Sequence, residues 1–169
     1  MRTQPASPTV SLDEYLNTSY DPDREFVDGV LVERNVGEWS HSRVQSNVLV
    51  ALSNKYLHLQ AVPSLLSQTA ATRYRIADVS VLLAPPSTDY LLDAAFLVVE
   101  VLSKHDVMSV VAAKLKEYAA KGVPNLWLID PRLQSMWAYR PPALIEIEGD
   151  TIATADGSVE LSRAEIFAE

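Results

Sequence analysis

A chain of 169 residues is one domain's worth of polypeptide, since domains usually run to roughly 100 to 200 residues, and it is long enough to bury a substantial core. Its 14 Lys and Arg against 22 Asp and Glu give a formal net charge of −8, which argues against coating nucleic acid by bulk charge while leaving room for a local basic site. There is no cysteine, which excludes disulfides, thiolate zinc sites and cysteine nucleophiles, and the 5 glycines fall where neither GxGxxG nor GxxxxGK can be written, so glycine-built nucleotide cradles are excluded too.

The opening MRTQPASPTV lacks an apolar run of signal-peptide length, and no stretch approaches about 18 uninterrupted apolar residues. A soluble intracellular protein is expected, with the cytosol the default and no membrane partner. Residues 1–10 read as a loose arm and 11–169 as a single domain. Ser11 is placed to cap a short helix over Leu12–Leu16. Glu25–Glu33 sets the turn dipeptide Asp28-Gly29 between two alternating runs, which is a hairpin signal. From His41 to about Leu59, apolar residues Val44, Val48, Ala51, Leu52, Tyr56 and Leu59 recur at three- and four-residue intervals, predicting a long amphipathic helix. Tyr74–Leu83 and Ala95–Leu102 read as strands joined by a proline-containing loop. A helix near Val107–Ala120 follows and ends at Gly122 and Pro124. Asn125–Ile129, Met136–Arg140 and Leu144–Ile147 complete the strands, with a short segment near Ser162. This order predicts an α/β fold with a central mixed sheet flanked by helices.

The chemistry concentrates in two strands. Within Ala95–Leu102 every residue is apolar except Glu100, so a carboxylate is inserted into a buried strand and must be protonated, paired or bound to metal. Asp78 is similarly placed in Tyr74–Leu83, and period two puts it on one face with Ser80. If these strands are neighbours, the two carboxylates meet, which is an oxygen-ligand arrangement for a divalent cation; the bland alternative is two separate structural salt bridges. Lys104 would lie about 13 Å beyond Glu100 along an extended strand, whereas Lys114, on the following helix, can return to it. Lys116 and Lys121 read as solvated helix charges, although Lys121 could touch a phosphate. His41, His58 and His105 show no zinc spacing, and Trp127 reads as core rather than as a base-stacking surface like those Trp39 or Trp137 could offer.

Val98-Val99-Glu100-Val101-Leu102-Ser103, Lys114-Leu115-Lys116-Glu117-Tyr118, Gly122-Val123-Pro124 and Trp127-Leu128-Ile129-Asp130-Pro131 together resemble the Uma-two family of restriction endonucleases, a branch of the PD-(D/E)XK nucleases. Glu25-Phe26-Val27-Asp28-Gly29 resembles its entry hairpin, His41 its helix-start histidine, and Arg75-Ile76-Ala77-Asp78-Val79 its Arg-x-Pro-Asp-Val strand, so the likeness spans roughly residues 12–167. The resemblance implies a restriction-endonuclease-like fold. Asp78, Glu100 and Lys114 would be catalytic, Glu25 and His41 accessory, and Mg²⁺ or Mn²⁺ would be held by Asp78, Glu100 and the carbonyl beside Glu100, that of Val101. Two positions depart from the family pattern: Ala77 replaces proline, and Val110 stands where an acidic residue often precedes the lysine by four positions.

The expectation is therefore metal-dependent hydrolysis of DNA, with a homodimer bringing two sites to two strands. The ion would polarise the phosphodiester and acidify its bound water, while Lys114 orients the nucleophile or stabilises developing charge. The alternative is a non-catalytic interaction domain of the same fold that keeps these residues as an ion network, a reading the acidic net charge favours. A two-carboxylate glycosidase stands third.

Overall fold

A computed structural model describes residues 9–35 and 37–169. Most of the expected N-terminal arm, residues 1–8, lies outside them; Val10, at its end, is not loose, because its N–H donates to the Gly29 carbonyl at 2.8 Å. Helix α1 (Leu12–Leu16) starts where Ser11 Oγ accepts the Glu14 N–H at 3.1 Å. Strands β1 (Arg24–Val27) and β2 (Val30–Glu33) form the predicted hairpin, and its turn places Asp28 at φ 50° and Gly29 at φ 89°, left-handed values that glycine adopts without strain. On β1, Phe26 packs with Tyr15 and Tyr74, while its neighbour Glu25 points to the opposite face and is buried there.

Helix α2 spans Trp39–Lys55, shorter than the apolar stripe suggests. Tyr56 leaves the helix, yet Tyr56 and Leu59 still pack against the same core as Val44, Val48 and Leu52. The periodicity therefore reported a shared face beyond the end of the helix itself. Two strands absent from the expectation follow, β3 (Gln60–Pro63) and β4 (Leu66–Ala70), both too short and too mixed in polarity to signal themselves.

The single strand expected over Tyr74–Leu83 is two: β5 (Arg73–Ile76) and β6 (Val79–Leu82). The first belongs to a four-stranded sheet of order β2-β1-β5-β4, and the second to a larger sheet. The break falls at Ala77-Asp78, where the Asp78 carbonyl, lost to both ladders, accepts the Gln45 side-chain amide at 2.8 Å and the Ser64 N–H at 3.2 Å. Parity counted along one continuous strand is thus interrupted at the residue that matters most.

After β7 (Leu97–Val101), α3 (Met108–Lys121) crosses to β8 (Asn125–Asp130), which pairs parallel to β7. The strands β9 (Ser135–Arg140) and β10 (Ala143–Glu146) extend an otherwise antiparallel six-stranded sheet of order β10-β9-β8-β7-β6-β3. A small pair, β11 (Thr151–Ala153) and β12 (Glu160–Ser162), and the short α4 (Arg163–Ile166), started by a Ser162–Glu165 capping box, close the chain. Helix α3 ends in a Schellman turn: Gly122 sits at φ 104° and the Val123 N–H reaches the Tyr118 carbonyl at 3.1 Å.

The six-stranded sheet is covered on both faces, as its near-continuous apolar strands require. Leu97, Val99 and Val101 of β7, with Trp127 and Ile129 of β8, pack with Val44, Val48 and Leu52 of α2. Val98, Leu126 and Leu128 pack with Val111, Leu115 and Tyr118 of α3. Glu100 falls between two residues committed to α2, so the pleat turns it toward α3. No helix of the described residues is long and apolar enough to cross a membrane.

Candidate active site

Strands β6 and β7 pair antiparallel with Val79 opposite Val99, and one further step along that register sets Asp78 opposite Glu100. The contact is completed by the backbone: the Val101 N–H donates to Asp78 Oδ2 at 2.8 Å. A bend at Asp78 and a straight β7 thus deliver two carboxylates to one end of the sheet, both nearly buried.

Lys114 of α3 reaches back over this end. Its Nζ lies 2.9 Å from Glu100 Oε1 and 2.8 Å from Glu25 Oε1, and it donates to the Ile76 carbonyl at 2.9 Å. Glu25 is held in turn by the Ile76 N–H at 3.0 Å and by Arg75 Nη1 at 2.9 Å. Arg75 also grips Glu117, one turn beyond Lys114, through two hydrogen bonds of 2.9 and 2.6 Å. A chain of alternating charge therefore runs Glu100, Lys114, Glu25, Arg75, Glu117 from the sheet end to the outer side of α3. On the other flank, His41 Nε2 is 3.4 Å and Arg34 Nη2 3.0 Å from the Asp78 carboxylate.

These environments set the protonation states. Burial raises the Glu100 carboxyl; Lys114 opposes this, the charges of Asp78 and Glu25 add to it, and the carboxyl stands at about 7. Burial acts the same way on Asp78, but the hydrogen bond and charge of His41, with Lys114 and the Val101 N–H, hold it below its ordinary value. For His41 burial disfavours the charge, and Asp78 outweighs it, so the imidazole is raised. Burial disfavours the Lys114 ammonium, but Glu100 and Glu25 outweigh it and hold the group charged. Two neighbouring carboxylates with their affinities for protons driven apart are a common signature of a reactive site.

Glu25, His41, Asp78, Glu100, Val101 and Lys114, named separately from sequence, line one cleft of about 200 Å³. Three further residues belong to the cluster: Arg34, Arg75 and Glu117. Glu117 carried a faint signal, three positions after Lys114 and hence on its helical face, and Arg75 stands at the arginine of the Arg-x-Pro-Asp-Val likeness, where no role was assigned to it; Arg34 carried no signal that separates it from an ordinary surface arginine. Lys104 and Lys116 are exposed, as is His58, which stands edge-on to Tyr56. His105 is exposed on the cleft rim. Val110 is also on the rim, 56% exposed. Trp127 is core, Trp137 is partly buried, and Trp39 is 78% exposed with the Arg43 guanidinium 5.8 Å from its ring centre.

A family model described as "Putative restriction endonuclease", Uma2 (Uma-two), matches residues 12–164. The chain belongs to this family. No curated protein matches it significantly. Among solved structures, the crystal structure of a "putative nuclease belonging to DUF820" from Anabaena variabilis superposes with a TM-score of 0.80 at 20% identity, covering 94% of this Uma2 chain and 98% of that one. That likeness establishes the fold, a mixed sheet flanked by helices. The match from Leu12 to Ala164 includes every element that contributes to the cleft.

Proposed function

We propose that this Uma2 chain hydrolyses phosphodiester bonds of DNA in a divalent-metal-dependent reaction, with residues 11–169 acting as one nuclease domain. The observation that carries the reading is the convergence of Asp78, bonded to the Val101 N–H of β7, and Glu100, with Lys114 2.9 Å from Glu100, inside a cleft of a restriction-endonuclease family member.

The residues fit Mg²⁺ or Mn²⁺. The donors are all oxygen: two carboxylates and the Val101 carbonyl. An ion of this class takes one or two protein carboxylates and completes its shell with water and phosphate oxygens, which this donor set allows. Glu100 Oε1 is buried yet lacks a hydrogen bond of proper geometry, although Lys114 Nζ is close by, so the carboxylate retains a lone pair for another cation. When bound, such an ion supplies Lewis-acid polarisation of the phosphate and a more acidic water.

The protein's own groups do the rest. Asp78 is fixed by the Val101 N–H and stays ionised; Glu100, raised to about 7 by burial in the metal-free cleft, would be held ionised by a bound cation. Lys114 carries its positive charge to the edge of the carboxylates, where it can stabilise negative charge developing on the phosphoryl oxygens. Glu25 and Arg75 hold that ammonium in place, and His41 orients Asp78. Since cutting both strands requires two sites, a homodimer is the working assembly, and a DNA substrate implies a cytoplasmic setting.

The test is incubation with supercoiled plasmid and single-stranded DNA under Mg²⁺ and Mn²⁺, with and without chelator. Cleavage abolished by chelator is expected; persistent inactivity across substrates, with metal bound, would favour the non-catalytic ion-network reading. Sedimentation velocity checks the dimer.

A further inference from the structure

Besides His41, three cations approach the carboxylates of the cleft, and they are not equivalent. Arg75 is 6% exposed and saturated by Glu25 and Glu117. Lys114 is shared among Glu25, Glu100 and the Ile76 carbonyl. Arg34 differs. It follows directly on β2, its side chain is 21% exposed at the cleft mouth, and among the described residues its only side-chain hydrogen bond is the one from Nη2 to Asp78 Oδ1. The rest of its five-donor fork has no protein acceptor there.

The oxygen it occupies is also significant. Asp78 Oδ2 is committed to the Val101 N–H and faces His41, so Oδ1 is the oxygen left for a metal ion. A guanidinium on Oδ1 and a divalent cation on Oδ1 repel each other at contact distance. Building on the metal-dependent reading above, we infer that Arg34 is a placeholder and phosphate ligand: it neutralises Asp78 until a divalent cation takes that oxygen, and then turns its fork to the scissile phosphate. A chain of net charge −8, whose cleft also carries Glu25, Glu100 and Asp106, needs such a countercharge for a polyanion, and Arg34 is the cleft cation with donors to spare. Guanidinium geometry suits two phosphate oxygens at once.

Two effects of opposite sign follow for Arg34→Ala. Mn²⁺ affinity, read by calorimetry without DNA, rises about fivefold, the order of one partly exposed ion pair removed. The kcat/KM for plasmid cleavage falls about a hundredfold. Arg34→Lys recovers part of the cleavage, because an ammonium returns charge without the fork. A merely structural arginine would instead lower thermal stability and weaken metal binding. Metal affinity equal to or below wild type in Arg34→Ala overturns the inference, and so does unchanged cleavage. Asp78→Asn is run in parallel: if it binds Mn²⁺ as wild type does, the metal reading itself fails and the Arg34 inference with it, whereas normal loss of Mn²⁺ in Asp78→Asn with an inert Arg34→Ala removes Arg34 alone.

Discussion

Replacing Lys114 by Met removes the ammonium while keeping an unbranched stem of similar length along α3, so packing against Val111 and Tyr118 changes little. The electrostatic consequences differ between its two partners. Glu25 keeps Arg75 Nη1 at 2.9 Å and the Ile76 N–H at 3.0 Å, whereas Glu100 loses the one ion-pair partner it has among the described residues. Stripping one member from a buried pair costs about 3–5 kcal/mol, and the low end applies here because Glu100, already at about 7 with the lysine present, escapes by taking up a proton. At about 3 kcal/mol the midpoint of thermal unfolding should fall by roughly 6–12 °C. The pH dependence has a definite sign. A carboxyl raised in the folded state binds more protons there than in the unfolded chain, so its penalty is absent at low pH and grows as pH rises from the ordinary carboxyl range through about 7. Without Lys114 the carboxyl is raised further, so the deficit against wild type should widen from about pH 5 to pH 8. Plasmid cleavage should drop at least a hundredfold or so, the usual cost of one group that stabilises transition-state charge. Denaturation scans across pH and a nicking assay measure both, with Lys116→Met, an exposed residue, as the control that stays active. A Lys114→Met protein that cleaves within about threefold of wild type would refute the catalytic assignment, and loss of activity in Lys104→Met instead would mean that the wrong lysine has been chosen.

Asp78→Asn should abolish calorimetric Mn²⁺ binding, and equal affinity in both proteins would remove the metal site. Glu117→Gln should destabilise by about 2 kcal/mol at neutral pH, the scale of charge-assisted hydrogen bonds to Arg75. Burial works against the Glu117 charge, but Arg75 outweighs it and holds the carboxyl below its ordinary value; the contribution is therefore complete above the ordinary carboxyl range and lost as pH falls beneath it, so denaturant titrations of variant and parent should converge in acid.

The parts of the fold legible in the sequence are those in which one residue type dictates one conformation. Asp28-Gly29 needs left-handed backbone and made the hairpin, Gly122 stopped α3, and the near-continuous apolar runs of β7 and β8 are those of a sheet covered on both sides. What escaped was set by tertiary context. The short strands β3 and β4 exist because β6 and β5 offer them edges, and no local pattern in Gln60–Pro63 encodes that. The division of Tyr74–Ile76 from Val79–Leu82 is equally non-local, since both halves are strand-forming and only their different partners separate them. The site shows the same split. Asp78 and Glu100 were visible as carboxylates in apolar runs and Lys114 as the lysine able to return to them, while Arg34, on a loop after β2, could be joined to Asp78 only by folding across 44 positions.

Whether these carboxylates form a closed ion network or an open site turns on what is left unpaired. A network kept for structure should satisfy its members, because a buried polar atom without a partner costs about 1–3 kcal/mol and is readily removed by substitution. The outer part behaves this way: Glu25, Arg75 and Glu117 have their charged atoms matched by good hydrogen bonds. The inner part does not. Glu100 Oε1, Ser103 Oγ and His41 Nδ1, all on the cleft, are buried without a proper hydrogen bond. Satisfaction falls away at Glu100 and the cleft wall beside it, where a cation with its water shell and a phosphate would bring the missing polar contacts. A saturated frame holding an unsaturated centre is the arrangement expected when rigidity serves binding, and it is this gradient that sets the nuclease reading above the purely structural one.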